Sequence, residues 1–167
     1  MESDASGPEP LIEVPDLLEV CRLLNAAGVQ YLVYGGMACL LHGHIRATQD
    51  MDIFVGDDAA NIQRALNALA QWGAGLAAQV TPEEIRDHVV VRIVDRCVID
   101  LAARVWKLEW KEAWAHRRLV TIEGVVIPVL CRQDLITSKQ TYREKDAWDI
   151  AELKLLANPD PGTPATS

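Results

Sequence analysis

The stretch Arg46-Ala47-Thr48-Gln49-Asp50-Met51-Asp52-Ile53-Phe54-Val55 decides how the rest of the chain is read. Strand side chains alternate between faces, so a strand over Asp50 to Val55 turns Asp50 and Asp52 one way and Met51, Ile53 and Val55 the other. Two carboxylates then share one face. At about 4 Å and an effective dielectric of about 20 they repel by roughly 4 kcal/mol, which a proton or a bound cation has to relieve.

A third carboxylate, Asp100, interrupts the apolar run Cys97-Val98-Ile99-Asp100-Leu101-Ala102. If that run is the strand beside Asp50 to Val55, three acids converge into an oxygen-only ligand set suited to Mg²⁺ or Mn²⁺, with positions left for water and phosphate. The alternative is a solvated sheet face. Asp95 is the rival third ligand, but Asp95-Arg96 separates VVVRIV from CVIDLA and suits a hairpin turn. Upstream, the β-favouring run Gln30 to Tyr34 meets Gly35-Gly36 and then the helix-like MACLLHG. A strand, glycine turn and helix in that order offer bare backbone N–H groups to phosphate. Arg46 and Thr48 stand between the glycines and the acids, placed either to contact phosphate or to brace the connection.

Around this centre, Pro15 opens a helix carrying Leu17, Leu18, Cys21 and Leu24 and stopped by Gly28, and Asp57 or Asp58 caps a second through Ile62, Leu66 and Leu69. Arg104 to Arg118 reads as a helix whose Trp106, Trp110 and Trp114 form an aromatic ridge against the sheet, the alternative being a surface that stacks bases or seats a partner. LVTI and VVIPVL flank Glu123-Gly124 as a second hairpin, Pro128 predicts an edge strand, and Gln133 to Ala157 forms one or two terminal helices. The fold class is α+β, a mixed β-sheet flanked by helices with a C-terminal helical segment.

The 167 residues, 50% apolar, suffice for one domain, expected over 11–157. Residues 1–10 and 158–167, rich in Pro, Gly, Ser and acid, are expected to be disordered tails. With no apolar run near the roughly 20 residues of a membrane span, and no signal-like N-terminus, a soluble cytoplasmic protein without a membrane partner is expected. Sixteen basic against 24 acidic residues give a net charge of -8, which disfavours non-specific attraction to nucleic acid and favours metal ions, cationic ligands or a basic partner. Cys21, Cys39, Cys97 and Cys131 form no CxxC pair, so neither a zinc knuckle nor a disulfide framework is indicated, and His42 and His44 around Gly43 read as loop histidines.

Taken together, YLVYGGMACLLHG, RATQDMDIFV and VIDLA resemble the DNA polymerase beta-like nucleotidyltransferase superfamily, with its GG or GS turn, D-x-D strand and later third acid. VIPVLCRQDLITSKQTYREKDAWDIAEL is similar to the helical tail of the AbiEii-type, toxin–antitoxin branch, in which DLI, a lysine and a K/R-D pair precede D-I and leucine. The resemblance implies a sheet of five or so strands presenting Asp50, Asp52 and Asp100 to two Mg²⁺ ions, with Gly35 and Gly36 at a nucleoside triphosphate. It also makes Lys139, which with Tyr142, Arg143 and Asp146 would form one polar stripe on a continuous helix, a phosphate ligand, and Asp146 a base or orienting acid. The implied activity is transfer of a nucleoside monophosphate to an acceptor hydroxyl on RNA or protein, with a cognate toxin or antitoxin as partner. An aminoglycoside-type small-molecule transferase and a non-catalytic nucleotide-binding module are the alternatives.

Overall fold

A computed structural model of the protein describes residues 13–156 and 159–165. The expected N-terminal tail, 1–10, lies outside them. Helix α1 (Val14–Ala26) starts with a reciprocal cap between Glu13 and Asp16 and Pro15 in its first turn, and ends before Gly28, whose φ of 68° is the left-handed conformation that closes a helix. Strand β1 (Tyr31–Tyr34) runs directly into α2 (Gly35–Leu41), and β2 (Asp50–Val55) is followed by α3 (Ala59–Leu69), capped by the Asp58 carboxylate. A 3-10 turn (Leu76–Gln79) and the short α4 (Pro82–Asp87) come next, the latter opened by a Thr81–Glu84 capping box. The hairpin β3 (Val91–Val94) and β4 (Val98–Ala102), α5 (Trp110–His116), the hairpin β5 (Arg118–Ile122) and β6 (Val125–Val129), α6 (Arg132–Ser138), α7 (Glu144–Leu155) and β7 (Thr163–Pro164) complete the chain.

The strands form one mixed sheet in the order β3-β4-β2-β1-β6-β5-β7, with β2–β4 and β1–β6 parallel and the other pairs antiparallel. The fold is α+β, as the sequence predicts, with seven strands among the described residues where five or so were expected. Met51, Ile53 and Val55 are fully buried in one core with Leu17, Leu24, Ile62 and Leu66. Alternation then forces Asp50 and Asp52 to the opposite face.

Three expectations need correction. The helix predicted over Arg104 to Arg118 is confined to Trp110–His116, because Lys107 adopts φ 60° and Arg118 already belongs to β5. Trp110 and Trp114 stack at 5.4 Å, whereas Trp106 is exposed outside the helix. Pro128 does not mark an edge: β6 lies between β1 and β5, and alternation from the two-residue turn puts the Leu119–Pro128 pair at a non-hydrogen-bonded position, where the missing N–H costs the β5 ladder nothing. Of the one or two terminal helices expected, the structure has two, α6 stopping at Ser138 and α7 restarting at Glu144. Within the expected C-terminal tail, Thr163 and Pro164 pair with β5, and Asp160 accepts a bond from the Arg132 backbone N–H at 3.1 Å.

Candidate active site

Parallel pairing of β2 with β4 sets Asp52 directly opposite Asp100, and antiparallel pairing of β3 with β4 sets Arg92 opposite Asp100. Adjacent strands lie about 5 Å apart, so Asp50, Asp52 and Asp100 crowd one patch of the sheet. They line an open cleft of about 580 Å³ together with Gly35 and Gly36. Arg92 Nε and Nη2 each donate to one oxygen of Asp100 at 3.0 Å, and Nη2 also reaches Asp50 at 3.3 Å. Burial, then the charges of Asp100 and Asp50, push the Asp52 carboxyl up to about 7, despite the opposing pull of Lys139 and Arg92. Asp95, the rival third acid, accepts backbone N–H bonds from Ala74 and Leu76 at the 3-10 turn.

The two glycines are required by close approach. Gly35 has φ 67°, and a Cβ there would lie 1.9 Å from Asp52 Oδ2; one on Gly36 would lie 2.7 Å from Thr48 Oγ1. Thr48 in turn donates to the Asp50 carbonyl at 3.2 Å. Glycine, threonine and the acid strand thus form one wall, held without side chains where the two segments touch.

A second carboxylate pair sits behind the triad on α7. Asp149, fully buried, accepts from Lys139 Nζ at 2.8 Å and Arg46 Nη1 at 2.6 Å, and lies 3.0 Å from His44 Nε2. Asp146 accepts from both donor edges of Arg143, at 2.8 and 3.2 Å, and from the Thr141 hydroxyl, with Lys139 Nζ at 3.7 Å. Burial raises the Asp146 carboxyl, but the bonds from Arg143 and Thr141 and the charge of Lys139 outweigh it and hold the group below the usual carboxylate range.

The break between α6 and α7 therefore replaces the predicted polar stripe with a folded network. Tyr142 points into solvent, while Lys139, Arg143 and Asp146 still line the cleft. Arg46 and Thr48 make bracing contacts, Arg46 on Asp149 and Thr48 on the Asp50 carbonyl. Four contributors carried no assigned role in the sequence: Arg92, Asp149, Thr141 and His44, which lies in the loop between α2 and β2, as expected, but is buried there. Asp149 alone had a signal, as the acid of the D-I pair in Asp149-Ile150. Across the rim, Trp106 donates its indole N–H to the Gln140 carbonyl at 2.8 Å, tying the segment before α5 to the α6–α7 connection.

The donor set fits a hard divalent cation. Three oxygen-only side chains converge, one of them favours its proton near neutral pH, and a guanidinium spans two of them as an internal counter-charge. A mixed sheet presenting three acids beside a double-glycine turn is the arrangement that the sequence resemblance to nucleotidyltransferases led us to expect. The chain belongs to the family described as "Nucleotidyltransferase of unknown function (DUF6036)", matched over residues 11–161. Among curated proteins, no significant match is found. Solved structures share the fold. The lincosamide antibiotic adenylyltransferase LnuA, in its lincomycin-bound structure, is similar with a TM-score of 0.56 and 15% identity, over 87% of this chain and 99% of that one. An antigenic nucleotidyltransferase-like protein from Paracoccidioides brasiliensis is similar with a TM-score of 0.52 and 16% identity, over 83% of this chain and 73% of that one. None of the helices among the described residues is long and apolar enough to cross a membrane.

Proposed function

We propose that the protein transfers a nucleoside monophosphate from a nucleoside triphosphate to an acceptor hydroxyl. The acceptor oxygen bonds to the α-phosphorus, the bond to the β-phosphate oxygen breaks, pyrophosphate leaves, and the hydroxyl proton passes through the acid cluster to solvent. The observation that supports this most is the pairing of Asp52 with Asp100 beside Asp50, in a cleft walled by Gly35 and Gly36.

Asp50, Asp52 and Asp100 would hold Mg²⁺ or Mn²⁺, which when bound supplies positive charge against the triphosphate and lowers the pKa of the acceptor hydroxyl. Gly35 and Gly36 make room for the Asp52 and Thr48 side chains, and their backbone lines the cleft, where it can meet a phosphate. Lys139 and Arg46 contribute from behind: their charges are taken up by Asp149, which anchors α7 to the loop leading into β2. Asp146, held ionised by Arg143 and Thr141, acts as an orienting acid and is a poor base. Arg143, with an exposed side chain at the rim, is one cation that can meet the triphosphate, beside its bonds to Asp146.

For the acceptor, the AbiEii-like tail motif favours RNA or protein, with a toxin–antitoxin partner. A small cationic molecule is the second reading, favoured by the net charge of -8 and by the likeness to an antibiotic adenylyltransferase along nearly all of that protein's length. Incubating the protein with Mg²⁺ and each α-labelled triphosphate, with and without total RNA, cell lysate and panels of aminoglycosides and lincosamides, identifies the acceptor by where the label goes. Retention of all label as free nucleotide under every condition would count against transfer.

A further inference from the structure

Outside the cleft, three metal-binding side chains from two parts of the chain come together. His116 ends α5, Cys131 caps α6 and Asp134 lies in the first turn of α6. His116 Nδ1 lies 3.2 Å from Asp134 Oδ2, and one ligand atom from each of the three lies within 4.8 Å of the other two. Ligands on one tetrahedral ion, bonded at about 2.0–2.3 Å, stand roughly 3.3–3.8 Å apart, so small side-chain adjustments suffice to bring the trio onto one centre.

The chemistry of the set is selective. An imidazole and a thiol beside one carboxylate suit Zn²⁺ and other borderline metals, and disfavour the Mg²⁺ or Mn²⁺ that the all-oxygen cleft suits. The Asp134 backbone N–H already donates to Cys131 Sγ at 3.5 Å, a bond that a metal-bound thiolate keeps. The cationic neighbours on either side are occupied elsewhere: Arg118 faces Asp160 at 3.5 Å and Arg132 donates to the Pro159 carbonyl. The His116 side chain is 57% exposed and that of Asp134 16%, so the cluster opens to solvent on the histidine side, giving an ion a way in and water a fourth ligand position.

We propose that His116, Cys131 and Asp134 form a second metal site, for Zn²⁺, that clips the two ends of the β5–β6 hairpin together. His116 precedes β5 by two residues and Cys131 follows β6 by two, so one ion between them closes the hairpin at its base and fixes the start of α6. An ion bound only by the folded chain stabilises it in proportion to the logarithm of its concentration over Kd. The site is independent of the nucleotidyl-transfer reading.

The test is a Co²⁺ titration of the full chain, then displacement by Zn²⁺, in millimolar Mg²⁺. One cobalt should bind with a thiolate charge-transfer band, zinc should abolish that band, and zinc should raise the melting temperature. Cys131→Ser keeps an N-cap acceptor for α6 and His116→Ala alters an exposed side chain, so both variants should fold. Cys131→Ser should lose the band, and each variant should bind zinc at least about tenfold more weakly. Asp52→Asn, which removes a carboxylate from the cleft, should retain both properties. A cobalt complex without the thiolate band, or a zinc-induced shift as large in Cys131→Ser as in the parent, would overturn the proposal and leave the nucleotidyl-transfer reading untouched.

Discussion

Arg92 and Asp100 are register partners on adjacent antiparallel strands, and the guanidinium takes both oxygens of Asp100 at 3.0 Å while reaching Asp50 at 3.3 Å. In the metal-free protein it supplies the positive charge that a divalent ion would bring. Arg92→Ala should therefore destabilise the metal-free protein by roughly 1–2 kcal/mol, a charged bidentate bond discounted for a half-exposed guanidinium. Saturating Mn²⁺ should then raise the melting temperature more than in the parent. Differential scanning calorimetry in chelator and in Mn²⁺ checks both. An equal metal-induced shift in the two proteins would mean that Arg92 and the ion do not share the acids.

Asp52 sets a pH dependence of definite sign. Its carboxyl lies at about 7 in the folded protein against an ordinary 3.8, so between those values the folded state holds a proton that the unfolded state has lost. The unfolded state binds fewer protons there, so this group's contribution to stability falls as pH rises from about 4 to about 7 and is flat above. Urea midpoints measured in chelator across that window should decline, and Asp52→Asn should flatten the decline and be the more stable protein at pH 8. A parent midpoint that rises through the window to the same extent as the variant's would show that Asp52 is ionised throughout.

Lys139 is the buried partner of Asp149, with Asp146 close by. Removing it takes one cation from the buried Asp149, which keeps Arg46, a loss of roughly 1.5–3 kcal/mol for a charged hydrogen bond. Lys139→Ala should show this in thermal melts, whereas Lys154→Ala, in the exposed last turn of α7, should stay within about 0.5 kcal/mol of the parent. A Lys139 variant of parental stability that has lost nucleotide affinity would restore lysine to the triphosphate.

Gly35→Ala places a methyl group against the Asp52 carboxylate at a left-handed backbone position. The conformation alone costs about 1–2 kcal/mol, and the collision adds to it by pushing Asp52 away from Asp50 and Asp100. Mn²⁺ titration followed by electron paramagnetic resonance should give at least about tenfold weaker binding, comparable to loss of a ligand-orienting group. Gly124→Ala, also left-handed but with open space around the Cβ, controls for backbone strain.

The carboxylate strand was legible because alternation is local: Asp50-Met51-Asp52 declares its two faces without reference to the rest of the chain, and Asp100 breaks an otherwise apolar run. Arg92 was not legible, since its partner is chosen by register across a hairpin and VVVRIV does not state which residue it will face. Asp149 and Lys139 were hidden for a different reason. On a continuous helix Lys139 would have shared a stripe with Arg143; the turn at Gln140 to Arg143 instead folds the lysine inward onto a carboxylate ten residues away. The Lys107 conformation that shortens α5 carries no glycine or proline to mark it, and α4, six residues long, is too short to show a period.

The central claim, that three register-linked carboxylates hold a metal-dependent nucleoside triphosphate site, is tested most directly by calorimetric titration of each triphosphate into the parent and into Asp52→Asn, with Mg²⁺ and with chelator. At least one triphosphate should bind the parent one to one in Mg²⁺, bind at least about tenfold more weakly in chelator, and bind Asp52→Asn no better than the parent in chelator. Equal binding by parent and variant in Mg²⁺, or no binding of any triphosphate at millimolar concentration, would contradict it.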